Sequence, residues 1–275
     1  MISKCLFPVA GFGTRFLPVT KSVAKELLPV YSKPLIHYAI DEALSCEINE
    51  FVIVKNKYKE SIKSYFSPHT YLEKLLHKSN KNKLLNEVNE IIESCKFVYV
   101  NQDEMFGLGH AILQGKGVIS NEPFAVILPD DLCHNNGPSV LKQMINIHNL
   151  FPDKCIVAVE KVPDHEVSKY GIIDGSLINN SSKVYSVKNM IEKPAVDQSP
   201  SNLAIIGRYI LTPEIFRYIE NIEPDSGGEI QITNALQAMT ESGNVLAYEF
   251  NGKRIDCGSV DGLFEANIFF KNLQM

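Results

Sequence analysis

Short apolar runs rich in β-branched and aromatic residues recur along the chain, at residues 5–10, 51–54, 97–100, 124–128, 155–159 and 203–211. Most are continuous rather than alternating, the pattern of strands covered on both faces by helices. Helical spacing lies between them. Pro34 precedes Ile36, Ala39, Ile40, Ala43 and Leu44, which puts Pro near a first helical position and apolar residues three and four apart. Pro138, Val140, Leu141, Met144 and Ile145 repeat the arrangement. Strand, helix, strand through the first half of the chain predicts right-handed crossovers in a largely parallel sheet, hence an α/β fold.

Two stretches stand apart. In residues 71–95, Leu84, Leu85, Val88, Ile91 and Ile92 form an apolar stripe, while Lys74, Lys78, Lys81 and Lys83 add positive charge. No stacking aromatic series is interleaved with those lysines, so a solvated helical insertion is favoured over a nucleic-acid or membrane contact. Residues 161–201 are richer in Gly, Pro, Asp and Ser, which predicts loops and short strands inserted into the main sheet.

With 275 residues, 45% of them hydrophobic, the chain has material for a large core. One domain spanning residues 1–275, with elaborations, is expected. Lys and Arg number 27 against 32 Asp and Glu, a formal net charge of -5. That excludes a global basic footprint for a polynucleotide, although a few cations in one cleft still suit a local phosphate. The six cysteines, Cys5, Cys46, Cys95, Cys133, Cys155 and Cys257, contain no Cys-x-x-Cys pair. They read as reduced thiols used for packing, as in a cytoplasmic protein. The N-terminus makes no convincing signal peptide, and no apolar run approaches the ~20 residues that span a bilayer, so no membrane partner is expected.

The sharpest chemical signal is Ala10-Gly11-Phe12-Gly13-Thr14-Arg15-Phe16-Leu17-Pro18, directly after the first strand. Glycines there let backbone N–H groups approach phosphate oxygens. Phe16 stands where a dinucleotide fingerprint has its third glycine, and no Gly-Lys-Ser/Thr follows, so neither common phosphate loop is present. Glycine spacing alone leaves a tight turn and a phosphate site equally open. Arg15 in the loop and Lys25 ten residues later shift the balance, since a guanidinium fork and a mobile ammonium together suit a polyphosphate.

Gly11-Phe12-Gly13-Thr14-Arg15, Lys21, Lys25-Glu26-Leu27-Leu28-Pro29 and Lys33-Pro34-Leu35 together resemble the signature of the sugar-1-phosphate nucleotidyltransferases. Within these, the likeness is to the bacterial branch that joins UTP and glucose 1-phosphate. Further matches run the length of the chain: Gln102, Gly107-Leu108-Gly109-His110-Ala111, Leu128-Pro129-Asp130-Asp131, Tyr170-Gly171, Glu192-Lys193-Pro194, Gly207-Arg208-Tyr209, Gly228-Glu229-Ile230-Gln231 and Asp256-Cys257-Gly258. One departure is visible: Ala24 stands where the family has Pro, which loosens the expected presentation of Lys25.

The resemblance implies a Rossmann-like three-layer fold with a mixed, mostly parallel sheet. Residues 1–135 would mainly bind nucleotide, and residues 136–275 would mainly bind sugar phosphate and mediate self-association into a dimer or tetramer. It implies Mg²⁺ as cofactor, with UTP and glucose 1-phosphate converted to UDP-glucose and pyrophosphate; a sister enzyme using dTTP, CTP or another sugar phosphate, or a non-catalytic sensor, are the alternatives. Arg15, Lys25 and Lys193 are the implied catalytic cations. Ala10, Gly11, Gly13, Thr14, Glu26, Gln102 and Gly107 are the implied nucleotide contacts, Gly171 and Glu192 the sugar contacts, and Asp130 and Asp256 the metal ligands. Adjacent carboxylates on an extended segment point oppositely, so Asp131 is not expected to face the metal together with Asp130. Pro194 should hold Lys193 extended, letting Glu192 and Lys193 diverge. Ser226-Gly227-Gly228-Glu229 reads as a capping box opening a helix, and His110 as a packing residue in the first turn of the helix after the glycine loop.

Overall fold

The computed structural model describes residues 2–178 and 183–273. Met1, Gln274 and Met275, the ends of the expected 1–275 domain, lie outside the described residues. Among the described residues nine strands form the main sheet: β1 (Lys4–Pro8), β2 (Glu50–Lys55), β3 (Lys96–Asn101), β4 (Phe124–Ile127), β5 (Cys155–Lys161), β6 (Gly171–Leu177), β7 (Val184–Glu192), β8 (Leu203–Leu211) and β9 (Val245–Glu249). Their spatial order is β3-β2-β1-β4-β8-β5-β9-β7-β6. Each apolar run read from the sequence becomes a strand, with ends shifted by a residue or two.

The sheet is mixed. Strands β3, β2, β1 and β4 are parallel neighbours, with Cys5 opposite Phe51 on one side and Ala125 on the other. Beyond β4 most pairings are antiparallel, so the sheet is not mostly parallel as expected: β8 runs antiparallel to β4, to β5 and, at Ala204 opposite Ile172, to β6, β9 is parallel to β5, and β7 is antiparallel to β9 and β6. Residues 161–201 hold the expected loops, but their strands, β6 and β7, are seven and nine residues long and pair antiparallel with each other. Successive strands can pair antiparallel through a short connection, whereas a parallel pair needs a crossover.

Alternate residues of each central strand feed separate cores on the two faces. On one face Phe7, Phe51 and Ile53 pack with Ile36 and Ile40 of α1 (Leu35–Leu44) and with the helix Val140–Leu150. On the other, Leu6, Val52 and Val126 meet Ala111 and Ile112 of the helix Gly107–Gln114 and Leu236 and Met239 of the helix Ile232–Thr240. A third cluster joins Phe16, Leu28, Leu35, Leu132, Ile255 and Ala266. Fully burying one such side chain stabilises by about 1.5–3 kcal/mol, so Phe16 anchors the loop that carries Arg15 while Ile255 anchors the strand that ends at Asp256.

The insertion at residues 71–95 is solvated and helical, as expected, and consists of two helices. Thr70–Lys78 and Asn86–Ser94 are separated at Asn80, whose φ is 56°. Ile91 is the buried member of its apolar stripe. The capping-box reading of Ser226-Gly227-Gly228-Glu229 is overturned. The helix begins at Ile232, and the tetrapeptide is a turn organised by Asp225, whose Oδ1 accepts from the backbone N–H of Gly227 and Glu229. A short carboxylate just ahead of the glycines captures those donors locally.

Candidate active site

Parallel neighbours end at the same sheet edge, and loops at their carboxyl ends form the usual ligand crevice of an α/β sheet. Here β1, β2, β3 and β4 deliver four loops to that edge. They are stitched together: Asn56 Nδ2 donates to the Ala10 carbonyl, and Gln102 N–H donates to the Lys55 carbonyl at 2.7 Å. The resulting cavity, of about 390 Å³, is lined by Ala10, Gly11, Gly13, Thr14, Lys25, Glu26, Gln102, Gly107 and Asp130, with Glu229 from the turn just described. A second cavity of about 330 Å³ shares the 11–14 loop, Lys25 and Asp130 and extends to Arg15 and Gly258. The nine residues expected on the nucleotide side of the chain are thus brought together around one space, with Arg15 at its extension.

Gly13 has φ 65°, and a Cβ there would lie 2.9 Å from Lys25 Cβ. Only glycine allows the loop to pass so close to the residue that carries the ammonium. Lys25 opens a short 3-10 turn, Lys25–Leu27, and Ala24 before it has φ -60°. That is the φ a Pro would impose, so the departure from the family pattern leaves the presentation of Lys25 intact.

Lys25 Nζ meets Asp130 Oδ2 at 2.6 Å. Burial works against both charges, yet each stabilises the other. Lys25 therefore stands above the ordinary lysine pKa and Asp130 below the ordinary carboxylate value. Glu26 points the other way. Both its oxygens accept from Lys59 Nζ, at 2.9 and 2.6 Å, in a pair shielded from water, and burial pushes Glu26 up and Lys59 down.

Asp130, Asp256 and Arg15 converge on Gly258. A Cβ at Gly258 would lie 2.9 Å from Asp256 Oδ1, 3.5 Å from Arg15 Nη1 and 3.6 Å from Asp130 Oδ2. The strand Asp131–His134 pairs antiparallel with Lys253–Asp256, with Asp256 opposite Asp131, and Cys257 N–H donates to the Asp130 carbonyl at 2.7 Å. Two carboxylates beside a cavity lined by a glycine loop, Arg15 and Lys25 are a fitting donor set for Mg²⁺, which takes hard oxygen ligands and keeps waters and substrate phosphates for the rest. Among the described residues no group of three or more His, Cys, Asp or Glu offers an all-protein cage. Asp131 turns away, as its place beside Asp130 predicts. It is buried, with Oδ1 on Arg254 Nε at 2.6 Å and Oδ2 accepting from Gly207 N–H at 2.7 Å.

Gly171, Glu192 and Lys193 form a neighbouring cluster rather than lining either cavity. A Cβ on Gly171 would lie 2.9 Å from Thr233 Oγ1 and 3.1 Å from Glu192 Oε2, and Thr233 donates to that oxygen at 2.7 Å. Lys193 Nζ lies 3.4 Å from Glu192 Oε1 and is largely exposed. Its backbone is not extended, contrary to the expectation from Pro194: φ is 46°, and its N–H closes on the Tyr170 carbonyl at 2.9 Å. That bond turns the chain out of β7, and the left-handed conformation costs about 1–2 kcal/mol in a residue with a Cβ.

Sequence reading missed Arg254, which joins the two clusters. Its guanidinium bonds Asp131, Glu160 at 2.9 Å and the Tyr170 hydroxyl at 3.3 Å, stands 3.3 Å from Asp256, and lies over the Tyr170 ring. Alternation offered a signal, since residues 254 and 256 share one face of a strand.

Comparison with known proteins identifies the family. The family model described as nucleotidyl transferase matches residues 8–272. A Pseudomonas aeruginosa protein named UTP--glucose-1-phosphate uridylyltransferase is 52% identical over 99% of this chain and 98% of its own, and a Bacillus subtilis protein of the same name is 40% identical over 98% and 91%. Among solved structures, a UDP-glucose pyrophosphorylase complexed with UDP-glucose superposes with a TM-score of 0.91 at 48% identity, covering 99% of this chain and 100% of that one. A UTP-bound UGPase from Acinetobacter baumannii superposes at 0.89 with 37% identity over 99% and 98%. Matched by the family model over almost its whole length, the chain belongs to the nucleotidyl transferase family.

Proposed function

We propose that this chain transfers the uridylyl group of UTP to α-D-glucose 1-phosphate, giving UDP-glucose and pyrophosphate. The observation that carries the reading is the meeting of Arg15, Lys25, Asp130 and Asp256 beside a cavity walled by a glycine loop and Gln102. Relatives bearing the corresponding names along the whole chain support it.

A sugar phosphate has a second pKa near 6, so close to pH 7 its oxygen is already an anionic nucleophile and needs no general base. What remains is to hold two polyanions in line and neutralise charge at the α-phosphorus and the departing pyrophosphate. Arg15 and Lys25 face the triphosphate. On binding, the Lys25 ammonium exchanges Asp130 for a phosphate oxygen, and Asp130 with Asp256 would hold Mg²⁺. When bound, that ion supplies positive charge to the phosphate oxygens. Lys193 holds the sugar's phosphate, while Glu192 and the Gly171 backbone take the sugar hydroxyls. Gln102, with Ala10, Gly11 and Gly107, reads the base; Gly13, Thr14 and Glu26 complete the nucleotide wall.

We read the fold as a Rossmann-like three-layer domain, with residues 1–135 serving the nucleotide and 136–275 the sugar phosphate. Self-association into a dimer or tetramer belongs to the same proposal. The last helix, Val260–Leu273, leaves Val260, Phe264 and Ile268 exposed at four-residue spacing, a stripe of the kind a second copy covers. All six cysteines are free and four are buried, as suits packing in a reducing cytoplasm. Among the described residues no helix is long and apolar enough to cross a membrane.

The test is an end-point assay of the purified chain with UTP, glucose 1-phosphate and Mg²⁺, with and without chelator, with dTTP and CTP run alongside. UDP-glucose and pyrophosphate in equal amounts, abolished by chelator, is the expected result. Faster turnover of dTTP or CTP would move the chain to a sister enzyme, and binding without product would make it a sensor.

A further inference from the structure

A primary amide is an ambiguous reader of pyrimidines. Its oxygen accepts from uracil N3–H, and turned over, its NH₂ donates to cytosine N3. Which base Gln102 prefers depends on what fixes the amide from behind. Gln102 is 4% exposed, and its Nε2 lies 3.2 Å from the Gly107 carbonyl and 3.0 Å from His110 Nδ1.

The Gly107 carbonyl only accepts, so it demands the nitrogen. The second N–H also needs an acceptor, and His110 Nδ1 is one when the neutral ring carries its proton on Nε2. His110 Nε2 in turn lies 2.8 Å from the Gln114 side-chain amide, whose oxygen receives that proton once the amide is turned to suit. Phe106 presents its ring to His110 at 5.3 Å, closing the packing around the imidazole. With both N–H groups of Gln102 committed, Oε1 is the atom left without a protein partner among the described residues. His110 itself does not line the cavity.

We propose that His110 is a positioning residue: by accepting from Gln102 it holds the amide oxygen toward the base and sets a preference for uracil over cytosine. This rests on the reading of the cavity as a uridine site. A role in packing alone would weaken both bases together, whereas a positioning role changes their ratio.

Calorimetric Kd values for UMP and CMP on the full chain separate these. His110→Phe keeps a ring and removes the acceptor; His110→Asn returns an amide oxygen close to where Nδ1 stood. The expected result is a UMP-selective wild type, a selectivity at least tenfold lower in His110→Phe, and recovery of most of it in His110→Asn. His110→Ala makes the same measurement if the Phe variant does not fold. A wild-type ratio retained in the acceptor-less variant overturns the role of His110 alone. Equal binding of UMP and CMP by the wild type overturns the uridine reading and this proposal with it.

Discussion

Gly258→Ala is a sharp test of the convergence at the site, because it adds one methyl group and removes no functional atom. Gly258 is buried, and its φ lies outside the left-handed region, so Ala can adopt the backbone without strain. The new Cβ would sit 2.9 Å from Asp256 Oδ1, closer than real Cβ contacts come, and within 3.6 Å of both Arg15 Nη1 and Asp130 Oδ2. The Asp256 carboxylate is exposed and must yield by a few tenths of an ångström. Overpacking of this kind costs about 1 kcal/mol at its mild end, or about 2–4 °C in Tm for a chain of this size. Catalysis is more sensitive: misplacing a reacting group by about 1 Å can cost 100-fold, so a smaller shift shared by a carboxylate and the space beside a guanidinium should lower kcat/KM by about 10- to 100-fold. The half-saturating Mg²⁺ concentration should rise as well. Steady-state rates over a Mg²⁺ titration, with a melting curve on the same sample, provide the measurement. Gly117→Ala is the control, since a Cβ there meets nothing within 4 Å. A Gly258→Ala protein with unchanged rates and an unchanged Mg²⁺ curve would refute the convergence.

Other perturbations probe separate parts of the site. Lys193→Ala should remove a charge-assisted hydrogen bond worth about 1.5–3 kcal/mol, lowering kcat/KM about 10- to 150-fold with little change in Tm, because the ammonium is exposed; unchanged kinetics would take Lys193 out of the site. Lys25→Met should abolish most activity and leave Asp130 without its partner. Since Asp130 is held below its ordinary pKa and Lys25 above its own, their pair stabilises fully from about pH 5 to 9. The Tm gap between wild type and Lys25→Met should narrow as pH falls below the ordinary Asp value near 3.9 and through the lower one of Asp130 in the fold, and a gap that stays constant as the pH is lowered to 3 and beyond would contradict this. Arg254→Gln leaves Asp131 and Glu160, both raised by burial, without their cation. A cost of about 3–5 kcal/mol follows, and calorimetry should find Tm lower by about 6–20 °C; a normal Tm would show that Arg254 bridges nothing of consequence.

The sheet was legible because continuous apolar runs have few alternatives to a strand between two layers. Long-range pairing was not, since nothing in residues 203–211 says that β8 returns between β4 and β5. The break at Asn80 hid inside a helical pattern, because a polar residue tolerant of positive φ reads as helix surface until the chain bends there. The glycine loop with Arg15 and Lys25 stood out on residue chemistry as a place for a polyphosphate, whereas Asp130 and Asp256 entered through the family resemblance, since spacing leaves a turn or cap equally open for Asp130. Lys59 beneath Glu26 and Arg254 beneath Asp131 escaped because each pairs with a carboxylate far away in sequence, where local chemistry carries no trace of the partner. Lys193 was misread for a related reason: the preference set by Pro194 is local, and the tertiary bond to the Tyr170 carbonyl outweighs it.

Asp256 is exposed, and Asn in its place keeps an oxygen to accept from the Gly258 N–H, so the replacement bears chiefly on the metal-binding half of the site. UDP-glucose formation across a Mg²⁺ titration should require at least tenfold more Mg²⁺ in Asp256→Asn than in wild type, with the melting temperature preserved. Superimposable titration curves for the two proteins would mean that Asp130 and Asp256 do not hold a common ion, and the cleft described here would not be where the phosphates react.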